Sequence, residues 1–495
     1  RDVRIRRMRM RRGSPQQHPK TTAPPRGRLF SLVSWCFVAA TSALRMDLRP
    51  TTQADLSKIV ALEAASYPAD EAASPASLAY RLEHAPAYFR TIVVDDDDVA
   101  GFICGTRCDA LTEEAMKTHA PEGPILAIHS VVVAPAYRRK GLAARALRWY
   151  RDEHAFSGGV RSIKLIAKAE LLALYVSAGF RVDGPSAIQH GKDAWFDCSA
   201  EGLEMVQLDA FPPAGAFSGN PAAVVFSHRS DDWMAKVANE NNLSESAFLS
   251  RLGPSKYAIR WWTPGREVDL CGHATLAAAA ALFETRRVAD DAVLEFETRR
   301  AGSLRVSKVR NGGDDDGTAP WLSMDFPTGP LTEVPRDEIP AAMLRAVGIQ
   351  ENGPVSLAFA GKGPPSVPDV FIHLEGVEDL ASAPVDIGVL ATNDLVDRGV
   401  IVTCASKRPG VDFESRFFAP KYGVQEDPVT GSAHTLLTAY WESVLGTNGE
   451  RPLVAHQASK RGGKLRVRTE GDRTIIQGQA AFVFDARLFA HPDDL

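Results

Sequence analysis

Cysteine is scarce in this sequence, and its spacing fits neither a metal site nor a redox site. The 495 residues contain six cysteines, at positions 36, 104, 108, 198, 271 and 404, and no two of them form a CxxC pair. This scatter argues against a disulfide framework or a zinc-binding repeat and favours reduced thiols in an intracellular protein. We therefore predict no bound metal and a cytoplasmic location.

The excess of positive charge that nucleic-acid binding requires is missing from most of the chain. The formal net charge is −4, yet residues 1–45 carry eleven Arg or Lys against Asp2 alone, about +10, which leaves about −14 for the remainder. The basic excess therefore belongs to a tail, and the remainder has no electrostatic footprint for nucleic acid. We expect small-molecule substrates instead.

The apolar stretch from Leu29 to Leu44 is too short for a comfortable membrane span. It follows Arg- and Pro-rich residues and ends in small ones, a pattern that resembles the hydrophobic part of a signal peptide. The alternative is that translation starts at Met46 and the segment is absent from the mature protein. We treat 1–45 as a disordered basic tail or a targeting segment, with plastid, mitochondrial and secretory targeting left open, and expect no membrane contact for the folded part.

The length predicts two or three domains. The first is predicted over 46–200, and its elements are a strand at 46–50, a helix capped near Thr52, a hairpin over 91–105, a strand at 125–133, a helix after 141, a strand at 162–167 and a helix over 169–178 closed by Gly179. The polar stretch 183–202 is interpreted as a linker. The second domain is predicted over 203–495, with lobes at roughly 203–315 and 320–490 that join at an exposed turn, 311–317.

The second domain contains an internal repeat. An aromatic segment, 260–264, leads to Cys271-Gly272-His273, and a related segment, 416–420, leads to Asp427 and then Gly431-Ser432. Each copy predicts an extended core strand, a proline, a glycine-containing loop and an apolar helix. Two such helix N-termini facing each other would form one anion site, because free N–H groups and the helix dipole attract negative charge.

In the first domain, the strand from Ile128 to Val133 runs into a basic, glycine-containing loop that opens a helix. Such a loop aims backbone N–H groups at a pyrophosphate, and its cations neutralise the phosphate charge. The alternative is an ordinary basic turn that caps a helix. With Leu174-Tyr175 and Ala178-Gly179-Phe180 downstream, the order of elements resembles the GNAT acetyltransferase family over residues 46–197, and its arylalkylamine N-acetyltransferase branch in particular.

The resemblance implies a mixed central sheet with helices on both faces, acetyl-CoA as the cofactor and a small amine as the substrate. It implies that the backbone from Val131 to Val133 holds the pantetheine arm. Tyr175 would protonate the leaving thiolate, and His129 would deprotonate the amine, as an imidazole can near neutral pH. Packing in the core is the alternative for both side chains. The resemblance places the pyrophosphate on Arg138, Arg139, Gly141, Leu142 and Ala143.

Four motifs, in order, indicate the family of the second domain: 217–224, 242–248, 271–275 and 426–434. They resemble the PhzF family of phenazine-biosynthesis-like isomerases, which shares the two-lobed diaminopimelate epimerase fold. The resemblance implies proton transfer on a small carboxylate substrate without a cofactor, and it leaves open a homodimer through this domain. The fold class is therefore α/β and α+β multidomain.

In this family a glutamate moves a proton between carbons of the substrate, and the matching residue is Glu245. A carboxylate can do so only if desolvation raises its pKa; a surface turn is the alternative. Asp427 would be the second carboxylate, with capping as its alternative. The substrate carboxylate would bind at the two helix starts, where N-capping by Ser432 and a structural role for His273 are the alternatives: Gly272, His273, Gly431 and Ser432.

The related epimerases use two opposed thiols, but here only Cys271 is near such a position. Amino-acid racemisation is therefore disfavoured, and Cys271 is interpreted as a small buried apolar residue. Three hypotheses remain: a bifunctional enzyme, one catalytic domain joined to a binding or dimerisation module, and a non-enzymatic metabolite-binding protein. Convergence of Glu245 and Asp427 on an enclosed polar cavity would favour isomerase activity, and their separation on open surface would exclude it.

Overall fold

A computed structural model of the protein describes residues 44–95, 97–309, 319–350, 353–364 and 368–492. The tail before residue 44 and the turn predicted at 311–317 lie outside the described residues. The residues from 44 onward belong to one compact unit. Within the described ranges, no helix combines the length and apolar character needed to cross a bilayer.

The first domain is built on one mixed sheet with the spatial order β1-β2-β3-β4-β5-β7-β6. Its strands are β1 (Met46–Pro50), β2 (Phe89–Val94), β3 (Asp98–Cys108), β4 (Ile125–Val133), β5 (Ser162–Lys168), β6 (Arg181–Pro185) and β7 (Trp195–Glu201). Its helices are α1 (Leu56–Ser66), α2 (Pro75–His84), α3 (Leu142–His154) and α4 (Leu172–Ser177). The predicted hairpin is present as β2 and β3, and the fold class predicted for this domain is confirmed.

Strand β4 has two irregularities that shape the first site. It pairs in parallel with β5 only from Ile125 to Ala127, so the later part of β4 is not bonded to β5. Against β3, the pairing shifts between Ser130 and Ile128 and leaves His129 as an extra, bulged residue. A bulge re-aims the side chain it carries, which accounts for the position of His129 described below.

The interpretation of 183–202 as a linker is wrong. The stretch contains β7, which pairs with β5 along its full length, and most of β6; the turn-forming residues between them make the connecting loop. Only Gly202 separates β7 from the next strand, with a φ of +69° that favours glycine. The two domains are therefore joined almost strand to strand.

The second domain contains most of the strands. They are β8 (Leu203–Ala210), β9 (Asn220–Val225), β10 (Glu245–Arg251), β11 (Lys256–Trp262), β12 (Glu267–Val268), β13 (Val293–Thr298), β14 (Ser303–Lys308), β15 (Leu322–Pro327), β16 (Thr332–Glu333), β17 (Ser356–Lys362), β18 (Val370–Glu375), β19 (Val400–Ala405), β20 (Phe413–Phe418), β21 (Leu453–Gln457), β22 (Gly463–Glu470), β23 (Arg473–Gly478) and β24 (Ala480–Leu488). Its helices are α5 (Asp231–Asn241), α6 (Gly272–Glu284), α7 (Ala341–Ala346), α8 (Ile387–Thr392) and α9 (Gly431–Leu445).

Short 3-10 helices in the described residues lie at Gln53–Asp55, Pro86–Tyr88, Pro135–Tyr137, Ala169–Leu171, Arg336–Glu338 and Pro420–Tyr422.

Two apolar helices, α6 and α9, are enclosed by the curved sheets of the second domain. Nearly every side chain of α6 is buried, as expected for a helix that is hydrophobic all round. Helix α6 packs on β8, β9 and β10, and α9 packs on β22 and β23. The predicted repeat is present as β11 before α6 and β20 before α9, and Trp261, Phe417 and Phe418 are core residues as predicted.

The last strand closes the sheet of the first lobe. Strand β24 pairs antiparallel with β8 over the full length of β8, and β15 pairs with β23. The predicted lobe division at 315–320 places β24 in the second lobe, whereas its partner strand lies in the first. The lobes are therefore linked by strand exchange.

A buried ion-pair network lies where the two domains meet. Arg287, 1% exposed, follows α6 and pairs at 2.8 Å with Asp152 of α3. Arg151 of α3, 2% exposed, pairs with Glu204 of β8. The indole of Trp149 donates to the Arg287 carbonyl at 3.1 Å. Because each buried charge has a partner, the network can remain ionised inside the protein.

Candidate functional site

The N-termini of α6 and α9 meet at two glycines. A Cβ built on Gly272 would lie 3.1 Å from the Cα of Gly431, and a Cβ on Gly431 would lie equally close to Gly272. Neither position has room for a side chain, so the backbones touch directly. The two helix starts predicted from the repeat therefore face each other and direct free N–H groups to one place.

Glu245, the first residue of β10, lies beside this helix pair. Its Oε2 is 3.2 Å from Nε2 of His273, in a close contact that lacks the alignment of a hydrogen bond. The Glu245 side chain keeps 17% exposure, and that of His273 keeps 5%. The carboxylate is therefore sheltered by the protein yet reachable from outside.

Asn220 connects this carboxylate group to Asp427. Its Nδ2 donates to Nδ1 of His273 at 3.1 Å, to Oδ1 of Asp427 at 2.8 Å and to the Val429 carbonyl at 3.0 Å. Two of these acceptors are oxygens, which fixes the amide orientation and makes Nδ1 of His273 an acceptor. Nε2 of His273 then carries the hydrogen and points toward Glu245.

The loop before α9 holds Asp427 rigidly. The hydroxyl of Thr430, the N-cap residue of α9, donates to Oδ2 of Asp427. The side chain of Gln457 donates to the Asp427 carbonyl at 2.8 Å and accepts from the Thr430 N–H at 2.8 Å. Since Thr430 occupies the N-cap, Ser432 does not cap the helix.

The carboxyl groups of Glu245 and Asp427 have different pKa values, although both are buried. Desolvation, with the nearby charge of Asp427, raises the pKa of Glu245 to about 8. Desolvation also raises the pKa of Asp427, but hydrogen bonds from Thr430 and Asn220 oppose it and leave the pKa at about 6. Near pH 7 Glu245 is therefore mostly protonated and Asp427 mostly ionised, and the pKa of Glu245 is close enough to neutrality for it both to accept and to return a proton.

His273 and Cys271 complete the group. Burial lowers the pKa of His273 to about 3, so the imidazole is neutral. Cys271 is buried as predicted, but its Sγ also lies 3.5 Å from Nδ1 of His273. Ligand atoms of Glu245, Cys271 and His273 lie within 4.8 Å of one another. Burial and the charge of Glu245 raise the pKa of the thiol well above its usual value, so Cys271 keeps its proton.

The hydroxyl of Ser432 accepts from Nη2 of Arg398 at 3.1 Å, and Arg398 also pairs with the buried Asp369. The guanidinium therefore adds positive charge beside the helix starts.

The sequence analysis missed four contributors to this site. Asn220 lies in the motif 217–224. A polar residue that directly follows a glycine and begins an apolar strand was the sequence feature that could have identified it. Thr430 lies in another such motif. Arg398 and Gln457 lie in no motif, and only the fold brings them here.

The residues predicted for acetyl transfer form a second group, in the first domain. His129, Val131 and Tyr175 line one cavity of about 170 Å³, together with Glu63 and Tyr67. His129 and Glu63 also line an adjoining cavity of about 530 Å³. His129 therefore lies between two spaces, as a residue that passes protons between two bound molecules would.

The electrostatics of this group keep its bases neutral. Burial and the charge of Arg81 lower the pKa of His129 well below its usual value. Its Nε2 is 2.7 Å from the Thr106 hydroxyl, while Nδ1 is buried without a partner among the described residues. Burial raises the pKa of Tyr175, which keeps its proton, and also that of Glu63.

The basic loop between β4 and α3 is exposed. Arg139 and Gly141 adopt positive φ values of 60° and 79°, and the space around Gly141 is open within 4 Å. Leu142 and Ala143 begin α3, so their N–H groups lack helical partners. Arg138 does not extend into this loop: its Nε donates to the carbonyl of Val133 at 2.9 Å, so the side chain is folded back over β4.

This loop and the unpaired edge of β4 fit an acyl-CoA. Four consecutive residues, 139–142, offer an open turn and a helix start to a diphosphate. The separation of β4 from β5 after Ala127 leaves backbone groups available to an extended chain.

Comparison with known proteins supports the family predicted for each of the two domains. The family model described as "Phenazine biosynthesis-like protein" matches residues 208–486, and the one described as "Acetyltransferase (GNAT) family" matches residues 56–180. An uncharacterized isomerase of Halalkalibacterium halodurans is 39% identical over 57% of this chain and 96% of its own. A phenazine biosynthesis-like domain-containing protein of Bos taurus is 36% identical over 58% of this chain and 99% of its own.

Among solved structures, a phenazine biosynthesis protein of the PhzF family from Enterococcus faecalis is 35% identical and covers 58% of this chain and 100% of its own, with a TM-score of 0.49. The chain belongs to the phenazine biosynthesis-like (PhzF) protein family and carries a GNAT-family acetyltransferase domain ahead of its PhzF domain.

Proposed function

We propose that the protein is a bifunctional enzyme, in which an acetyl-CoA-dependent N-acetyltransferase is joined to an isomerase that moves a proton on a small carboxylate substrate. The observation that carries the isomerase half is the convergence of Glu245, His273 and Asp427 at the contact between α6 and α9. Two carboxyl groups with pKa values of about 8 and about 6 lie on either side of neutrality there.

In the proposed isomerisation, the substrate carboxylate binds the free N–H groups at Gly272 and Gly431 and the Ser432 hydroxyl. The ionised form of Glu245, present as a minority near pH 7, accepts a proton from one carbon. The same carboxyl group then returns a proton to a second carbon. His273 donates its Nε2 hydrogen to the negative charge that develops in between, and Asp427 keeps His273 and Asn220 in place.

In the proposed acetyl transfer, Arg139, Gly141, Leu142 and Ala143 hold the diphosphate of acetyl-CoA. The backbone of Val131 and Val133 would hold the arm; Arg138, predicted at the diphosphate, is bonded to the Val133 carbonyl and would have to turn outward to reach it. When bound, acetyl-CoA supplies an activated acetyl thioester. His129 accepts a proton from the amine, since its imidazole is neutral, and Tyr175 keeps a proton at its hydroxyl for the departing sulfur.

The test uses the full chain in two assays. Incubation with acetyl-CoA and a panel of small amines should release free thiol with at least one amine. Incubation with candidate dihydro-aromatic acids in heavy water should place deuterium on a carbon of at least one of them. Thiol release without any deuterium exchange across a broad acid panel would leave only the acetyltransferase half, and exchange without thiol release would leave only the isomerase half.

A further inference from the structure

The contact between the two domains encloses a cavity of about 240 Å³. The first domain contributes Trp149 of α3, and the second contributes Phe226, Arg229 and Tyr257, among others. The volume lies just below the range of about 300–1,000 Å³ for small-molecule sites, so it suits a small metabolite. No residue assigned above to either activity lines this cavity.

Arginine dominates the charge of the lining. Four arginines face two acidic residues, and both acids are already ion-paired. Asp152 pairs with Arg287 at 2.8 Å, and Glu153 pairs with Arg90. The lining therefore has positive charge that its own carboxylates do not neutralise.

Arg229 is the arginine whose charge is left over. Its Nη1 donates to the His228 carbonyl at 2.6 Å, and its Nη2 donates to the Ala155 carbonyl. Its Nε has no partner among the described residues, and neither does the hydroxyl of Tyr257, which is 3% exposed. Leaving buried donors unpaired is costly, so an acceptor in the cavity would be stabilised by both.

The walls of the cavity are flat. The Arg251 guanidinium, whose carboxylate partner is Asp47 at 2.6 Å, lies 4.3 Å from the centre of the Trp149 ring. The Arg287 guanidinium lies 3.5 Å from the centre of the Phe226 ring. Planar cationic and aromatic groups of this kind favour a planar ligand with negative charge.

We propose that the cavity between the domains binds a small planar organic acid, whose carboxylate accepts hydrogen bonds from Arg229 and Tyr257 and whose flat body packs on the arginine–aromatic walls. The site is separate from both proposed catalytic groups, so its existence does not depend on either activity.

Calorimetric titration of the full chain with benzoate tests this proposal. We expect a saturable site for benzoate that persists in Ser432→Ala and does not bind the neutral analogue benzyl alcohol. The Arg229→Gln substitution should weaken benzoate binding at least about 10-fold, because hydrogen bonds to a charged group are lost. Tyr257→Phe removes a single oxygen and should weaken binding by several-fold, which keeps the test valid if Arg229→Gln impairs folding.

Two further variants serve as controls. Arg305→Gln removes an exposed arginine of β14 and should leave benzoate affinity unchanged. Ser432→Ala alters the proposed carboxylate site of the isomerase and should also leave it unchanged. Anomalous scattering from crystals soaked in 4-iodobenzoate should place iodine beside Trp149. No binding, equal affinity in Arg229→Gln and the parent protein, or loss of binding in Ser432→Ala would each overturn the proposal.

Discussion

The two candidate sites differ in how the chain brings their residues together. In the isomerase group, Glu245, His273 and Asp427 come from separate elements and lie beside two helices that touch at Gly272 and Gly431. In the acetyltransferase group, a single irregular strand, β4, supplies both His129 and the backbone edge beside two cavities. In the first site, burial raises the pKa values of the two carboxyl groups. In the second site, a neutral histidine lies beside two cavities.

The largest difference between the sites should come from removing the proposed proton carrier. We expect Glu245→Gln to lower deuterium incorporation about 10³-fold, since general acid–base groups contribute about 10²–10⁴. Acetyl transfer, measured by thiol release, should be unchanged. Glu240→Gln, on the exposed end of α5, is the matched control. Full exchange activity in Glu245→Gln would show that another group moves the proton.

The corresponding change in the first domain is Tyr175→Phe. Loss of the hydroxyl proton should lower kcat for thiol release about 10–100-fold with little change in KM for acetyl-CoA, because the ring still fills its buried position. Deuterium exchange in the second domain should not change. Tyr422→Phe, at an exposed tyrosine, controls for the substitution itself. A change in KM alone would point to a binding role.

The two sites should also respond oppositely to pH. Burial raises the pKa of Glu245 in the folded protein to about 8, from an ordinary value of 4.5. Its contribution to stability is therefore fully present below pH 4.5 and is lost as the pH rises toward 8, by at most about 1.4 kcal/mol per pH unit. Chemical denaturation of the parent protein and Glu245→Gln between pH 5 and 8 should show a steeper fall in the parent, because Asp427, whose pKa is raised to about 6, titrates in both.

His129 has the opposite sign. Its folded pKa lies below the ordinary value of 6.5, so its contribution is present above pH 6.5 and is lost as the pH falls. A His129→Gln variant should therefore lose less stability than the parent on acidification. Equal slopes in all three proteins would contradict the burial that we assign to both groups.

The smallest difference concerns the two glycines that open helices. Gly272→Ala places a Cβ 3.1 Å from Gly431, which should cost about 1–3 kcal/mol in free energy of unfolding and reduce isomerase activity. Gly141→Ala meets open space but keeps a φ of 79°, so it should cost about 1 kcal/mol and affect acetyl transfer only. Thermal denaturation of both variants, with Gly265→Ala as the control, measures the difference.

The sequence predicts local features well and long-range contacts poorly. The strand–loop–helix order around Gly141 and the repeat ending at Gly272 and Gly431 follow from hydrophobic pattern and turn residues, and the structure contains both. The meeting of Asn220 with Asp427 could not be read from the chain, because about two hundred residues separate them and only the tertiary fold brings them together. The prediction of a linker at 183–202 is wrong because the turn-forming residues of this stretch hide the strand pattern of β6 and β7.

The ion pairs across the domain contact have a consequence for how the two domains depend on each other. The Halalkalibacterium isomerase matches 57% of this chain over 96% of its own length, so the first domain is additional to the part that the two proteins share. Arg287 and Glu204 of the second domain, which lie 3.4 Å apart, gain Asp152 and Arg151 of the first domain as further partners. Joining the two domains therefore removes these charges from water, and each of them then depends on a partner from the other half of the chain.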